Sequence, residues 1–321
     1  MEEAIRKFHT QFEWAPALVN ASALPKRNKF VVGGMGGSHL SAGLLQCAHP
    51  TIDLLIHRDY GLPALSDAKE RLYIASSYSG NTEETIDFAE SALKKGYSVA
   101  TMSTGGRLLE LAQRNGLPHV IIPDTKIQPR SALGFGMKAL GALLADDRLL
   151  TELSELSSRL FPEKLEEKGR ELARALRDSV PIIYASTRNS AVAYNWKIKM
   201  NETGKLPAFY NVFPELNHNE MTGFDIIETT EGLSRKFHFL FLTDSGDHPQ
   251  VAKRMKVTKK LYEERGFSVT AIHLDGKSSF EKICNSLLIA DWTAVHLSRI
   301  YGTEAEQVPM VEEFKQLITH H

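Results

Sequence analysis

Residues 71–85 read RLYIASSYSGNTEET. The first six form a short β-prone run, and a cluster of serine, glycine, asparagine and threonine follows. Glu83 and Glu84 then open a stretch of helical spacing that reaches about Lys95. Acids in a first turn suit the positive end of the helix dipole, so the segment reads as strand, turn, helix. The same pattern recurs on both sides. Upstream, Lys29–Gly34 (KFVVGG) ends in glycines, apolar residues run from Leu40 to Leu45 at helical spacing, and Ile52–Ile56 reads as a buried strand. Downstream come a strand at Tyr97–Met102, a helix at Leu108–Arg114 and a strand at Pro118–Ile122. Such alternation with short turns implies a parallel sheet covered on both faces. From about Arg130 to Val180 the reading is helical, broken at Pro162. A second series follows, with strands at Pro181–Ser186, Lys236–Leu242 and Phe267–His273. Its helices fall near Ala191–Lys199, Gln250–Glu264, Phe280–Tyr301 and Pro309–Ile318. Two α/β halves are expected, residues 1–150 and 151–321.

Composition narrows the function classes. A chain of 321 residues with 42% apolar and 24% charged residues has the profile of a soluble protein of two domains. Its formal charge of −1 argues against nucleic acid or a membrane surface as a non-specific partner. Cys47 and Cys284 are too few for a disulfide framework or a thiolate zinc site, and read as buried reduced thiols. Met1–Glu13 has no signal-peptide core, and no apolar run approaches the roughly 18 residues of a membrane span. A cytoplasmic protein is expected. His320 and His321 are given no function.

Two turns carry chemistry. Gly33-Gly34-Met35-Gly36-Gly37-Ser38 joins a strand to a helix, where close backbone N–H groups and the helix N-terminus favour an anion. It fails the dinucleotide pattern, because His39 occupies the third glycine position, and it fails the P-loop pattern for want of Gly-Lys-Ser/Thr. A structural tight turn is the plain alternative. The second turn places Ser77, Ser79 and Thr82 around one helix start. Capping needs one hydroxyl, so three of them beside a glycine turn favour a phosphate cradle of Gly36, Gly37, Ser38, Ser77, Ser79 and Thr82. Neither turn demands a metal or a cofactor.

S-Y-S-G-N-T-E-E-T resembles the phosphosugar-binding signature of sugar isomerase (SIS) domains, and G-M-G-G-S-H at 34–39 resembles their first glycine turn. Pro129-Arg130-Ser131-Ala132-Leu133-Gly134, Asn201-Glu202 and the run Pro214–Glu220 (PELNHNE) are similar to motifs of the bifunctional phosphoglucose/phosphomannose isomerase family. The likeness runs from about Lys29 to Lys315, and five segments in this order are far more specific than any one. It implies an α/β fold of two SIS subdomains, each a flavodoxin-like, doubly wound parallel sheet, joined by helices. It also implies metal-free, cofactor-free interconversion of glucose 6-phosphate, and of mannose 6-phosphate, with fructose 6-phosphate through a cis-enediolate, a step of glycolysis and gluconeogenesis.

Such a reaction needs a carboxylate base, a group to open the sugar ring, positive charge near the enediolate and a phosphate anchor. The resemblance gives these roles to Glu202 as base, His218 for ring opening, Arg130 for charge stabilisation, and Lys315 on the last helix. It implies that His218 reaches the neighbouring subunit's site, hence a homodimer with shared active sites. Glu215 and Glu220 flank His218, as tuning groups or as surface charges. The family's D-P before the last helix is replaced here by Glu304-Ala305-Glu306-Gln307, which leaves Lys315 equally readable as a solvated helix lysine. The alternatives are a phosphosugar-binding regulator without chemistry and another SIS phosphosugar or amino-sugar isomerase.

Overall fold

A computed structural model describes residues 1–319; His320 and His321 lie outside the described residues. The chain divides into two compact units. The first comprises residues 6–161 with 278–281, the second residues 1–5, 162–277 and 282 onward. The expected boundary at 150/151 falls inside the helix Asp147–Arg159, which belongs whole to the first unit. That helix buries Leu149, Leu153 and Leu156 along one face and is capped by Asp146, whose carboxylate accepts from Leu149 N–H at 2.9 Å. Pro162, read as a break in the sequence, is where the second unit resumes.

The first unit is built on β1 (Leu18–Val19), β2 (Lys29–Gly33), β3 (Asp53–His57), β4 (Leu72–Ser76), β5 (Ser98–Ser103) and β6 (His119–Ile121). They lie in the order β1-β6-β5-β4-β2-β3, parallel except for β1 on the edge. All five residues of β4 are buried, as a central strand covered on both faces requires. Helices Gly37–Ala48, Glu83–Lys94, Gly106–Arg114 and Leu133–Leu143 complete the layers, the last of them buried along its whole length.

The second unit carries β7 (Val180–Ser186), β8 (Phe209–Phe213), β9 (Phe237–Thr243) and β10 (Ser268–His273) in the order β10-β9-β7-β8, all parallel. Its core is aromatic. Phe239 lies 4.5 Å from Tyr262 and 4.9 Å from Phe224, ring centre to ring centre, the latter pair edge to face. The helix Ser190–Glu202 is tied to Ser279–Tyr301 by a buried ion pair, Lys199 Nζ to Asp291 Oδ1 at 2.6 Å. Trp196 on the same helix donates to Ser286 Oγ at 3.0 Å.

Setting β1 aside, the two sheets share one plan. The first strand of each parallel series, β2 or β7, lies between the second and the third. The chain therefore winds away in opposite directions from the β2/β4 and β7/β9 pairs, and a crevice opens beyond the C-terminal ends of those strands. Both sheets are doubly wound and parallel, as expected. Cys47 and Cys284 are buried. No helix among the described residues is long and apolar enough to cross a membrane.

Candidate active site

At the β2/β4 crevice the two sequence-predicted turns meet. Ser76 Oγ donates to the Ser38 carbonyl at 2.7 Å, and the Tyr78 N–H donates to Ser38 Oγ at 2.9 Å. Ser77 is fully buried; its Oγ lies 2.9 Å from Thr82 Oγ1 and accepts from the Gly80 N–H at 3.1 Å. The three hydroxyls therefore differ. Ser77 shapes the turn from within, Ser79 is exposed, and Thr82 stands half-buried just before the helix Glu83–Lys94. Gly80 adopts φ 73°, and a side chain there would run into the Gly105 carbonyl, so only glycine closes this turn. A Cβ on Gly37 would lie 2.7–2.8 Å from Pro129 and the Arg130 nitrogen. The Pro129–Ser131 turn therefore sits directly on the glycine turn, and brings the backbone of Arg130, a buried arginine, to the same place. His39, one residue past Ser38, is buried. Desolvation, helped by the charge of Arg58, pushes its pKa down to about 4. Its imidazole is neutral at pH 7, so His39 brings no positive charge to this crevice.

Glu202, His218 and Lys315 belong to the second unit. Glu202 is the last residue of the helix Ser190–Glu202 and is half-buried. A carboxylate there faces the negative end of the helix dipole, so helix stability does not favour it. The segment after it is pinned. Asn201 Nδ2 donates to the Leu206 carbonyl at 2.9 Å, and Lys205 Nζ donates to the carbonyls of Glu202 and Gln307. His218 ends the 3-10 turn Glu215–His218, which follows a cis Phe213–Pro214 peptide, and its ring is exposed. Lys315 is exposed on the helix Pro309–Thr319 and pairs with Glu312 at 2.8 Å. In the departure from the family pattern, Glu304 caps this last segment by accepting from the Glu306 and Gln307 N–H groups.

The crevice beyond β7 and β9 is filled differently, by residues that no motif marks. Lys282 Nζ donates to Asp244 Oδ1 and Ser245 Oγ, both at 2.7 Å. Asn189 Nδ2 donates to Asp244 Oδ2 at 3.3 Å, and Arg188 donates to the Gly246 carbonyl at 2.7 Å. Its polar groups bond to one another. Among the described residues, no three histidine, cysteine or acidic side chains are grouped as a metal site would need.

Paired doubly wound sheets, with a glycine turn and a hydroxyl turn knitted at the first switch point, define a SIS-domain protein of the phosphosugar-isomerase class. Residues 165–318 match the family model described as the bacterial phospho-glucose isomerase C-terminal SIS domain. The chain is 35% identical to the bifunctional phosphoglucose/phosphomannose isomerase of Caldicellulosiruptor bescii, over 90% of this chain and 88% of that protein. It is 31% identical to the protein of the same name from Aquifex aeolicus, over the full length of both. Among solved structures, a hypothetical protein of Thermus thermophilus superposes with a TM-score of 0.71 at 21% identity, covering 99% of this chain and 87% of that one. The chain belongs to the bifunctional phosphoglucose/phosphomannose isomerase family.

Proposed function

We propose that the protein is an aldose–ketose isomerase that interconverts glucose 6-phosphate and mannose 6-phosphate with fructose 6-phosphate, as a cytoplasmic homodimer. The observation that carries this reading is the first crevice, where two turns and the Pro129–Ser131 turn converge with backbone N–H groups, hydroxyls and an arginine. Gly36, Gly37, Ser38, Ser79 and Thr82 seat the phosphate, with Ser77 holding the turn in shape. Glu202 takes a proton from one of C1 and C2 and returns it to the other. Arg130 stabilises the enediolate oxygens, and Lys315 assists from the last helix. Because the open-chain sugar rotates about C2–C3, one base serves both epimers. These steps are proton transfers that side chains alone can perform. A coupled assay with fructose 6-phosphate and mannose 6-phosphate, run with chelator, tests the reading. Binding without turnover would make the chain a regulator.

The Ser79→Ala, Thr82→Ala double variant removes two hydroxyls of the seat. A hydrogen bond to a charged group contributes about 1.5–3 kcal/mol, so KM for the phosphosugar is expected to rise at least tenfold in a folded protein. An unchanged KM refutes the cradle.

The dimer is supported by surface chemistry. Ile227 and Leu233 near the His218 segment are exposed, at 53% and 80%, and so are Met310 (81%) and Phe314 (59%) on the last helix. Large apolar side chains left this exposed favour a protein partner, here a second copy. His218, exposed on its turn, then serves the neighbour's sugar by opening its ring. Mixing inactive Glu202→Gln with inactive His218→Ala is expected to restore about a quarter of wild-type activity, since half the dimers are mixed and each has one intact site. No restoration after demonstrated subunit exchange would mean that each site is built within one chain.

A further inference from the structure

An exposed imidazole has little packing of its own, so the backbone that carries His218 must aim it. That backbone is held on both sides. Asn217 Nδ2 donates to Thr258 Oγ1 at 2.8 Å, and Asn219 Nδ2 donates to Glu215 Oε1 at 2.9 Å. Glu220 is held more deeply. The Tyr184 hydroxyl on β7 donates to its Oε1, and Asn211 Nδ2 on β8 donates to its Oε2. Tyr184 and Asn211 are direct partners across the β7/β8 pair, so the two donors stand side by side. Asn211 cannot turn its amide round without loss, because its Oδ1 already accepts from the Val212 N–H at 2.8 Å. Tyr184 is fully buried. Burial, Tyr262 and the bond to Glu220 hold its phenol proton far above the usual range, so it acts as a donor at any working pH. Between two fixed donors only a group with two acceptors and no donor fits, which is a carboxylate.

We propose that Glu220 is the positioning residue of His218: its carboxylate clamps the histidine segment to β7 and β8, so that the imidazole is presented in one place for ring opening. The role rests on the isomerase reading above. Glu215, equally close in sequence, is exposed and reaches only its own turn.

Glu220→Gln tests the clamp, because the amide keeps one acceptor and turns an NH2 group against Asn211 Nδ2. Amide hydrogen exchange over residues 217–224 is expected to quicken by about tenfold or more, while the rest of the fold keeps its protection. For glucose 6-phosphate, kcat is expected to fall by about tenfold or more with KM within about threefold. Erythrose 4-phosphate gives an independent readout, since its phosphorylated O4 cannot close a ring. Exchange of its C2 proton with deuterium needs the base alone, and is expected to stay within about threefold of wild type. Asn211→Asp added to Glu220→Gln rebuilds the contact with the charge moved across. The new amide would accept from Tyr184 and donate to the new carboxylate on β8, which still accepts from the Val212 N–H. Recovery of both exchange protection and kcat to within about threefold of wild type is expected. Should Glu220→Gln fail to fold, Tyr184→Phe removes one donor and is expected to give the same loop signature. Unchanged exchange at 217–224, equal loss with the acyclic sugar, or no recovery in the double variant would each overturn the proposal. A wild-type protein that isomerises nothing overturns the isomerase reading, and with it the catalytic role, whereas the exchange data still report on the clamp.

Discussion

Replacing Glu202 with glutamine is expected to lower kcat for isomerisation by about 10²–10⁴-fold, the usual contribution of a positioned general base. Phosphosugar binding should barely change, because the amide keeps the size and shape of the side chain and the phosphate seat is untouched. Wild-type protein working in deuterium oxide is expected to place deuterium at C1 or C2 of the product, since an enediolate base exchanges its proton with water between the two transfers. The glutamine variant should show neither turnover nor exchange. Glu202 stands at a helix C-terminus, where the dipole disfavours an acid, so the dipole gives no reason for a carboxylate there. If the variant keeps more than about a tenth of kcat, the base is another residue.

The second large effect concerns the helix that carries Glu202. Asp291→Ala leaves the Lys199 ammonium buried without its carboxylate, and breaking such a pair costs about 3–5 kcal/mol. Lys199→Met with Asp291→Val, which removes both charges at nearly the same combined volume, is expected to retain most of that stability. Urea unfolding followed by tryptophan fluorescence is a suitable measurement, because Trp196 and Trp292 are both fully buried in the same unit as the pair. A loss under about 1 kcal/mol for Asp291→Ala would show that water or a neighbour rescues the lysine.

Much of the architecture was legible because parallel strands covered on both faces appear as uninterrupted apolar runs. Leu72–Ala75 and Phe239–Leu242 are of this kind. Phe209–Phe213 does not stand out in the sequence. It is an edge strand between Pro207 and Pro214, and Asn211 interrupts its apolar run. The cradle turns were legible as glycine and hydroxyl clusters, but nothing in the letters distinguishes Ser77, turned inward, from Ser79, exposed to water. Composition likewise cannot separate Glu220 from Glu215. The difference lies in two donors on strands 36 and 9 residues distant in sequence. The ion pair of Lys199 with Asp291 spans 92 residues and was equally invisible.

The chain folds one plan twice and uses the copies unequally. Beyond β7 and β9, Lys282 pairs with Asp244 and Arg188 donates to a carbonyl, so these side chains are already bonded within the chain. An incoming phosphate would have to displace the Asp244 carboxylate before gaining Lys282. The second crevice is in effect its own ligand. On the isomerase reading, substitutions at the first crevice are constrained by what the protein binds, and those at the second by what holds the sheet together.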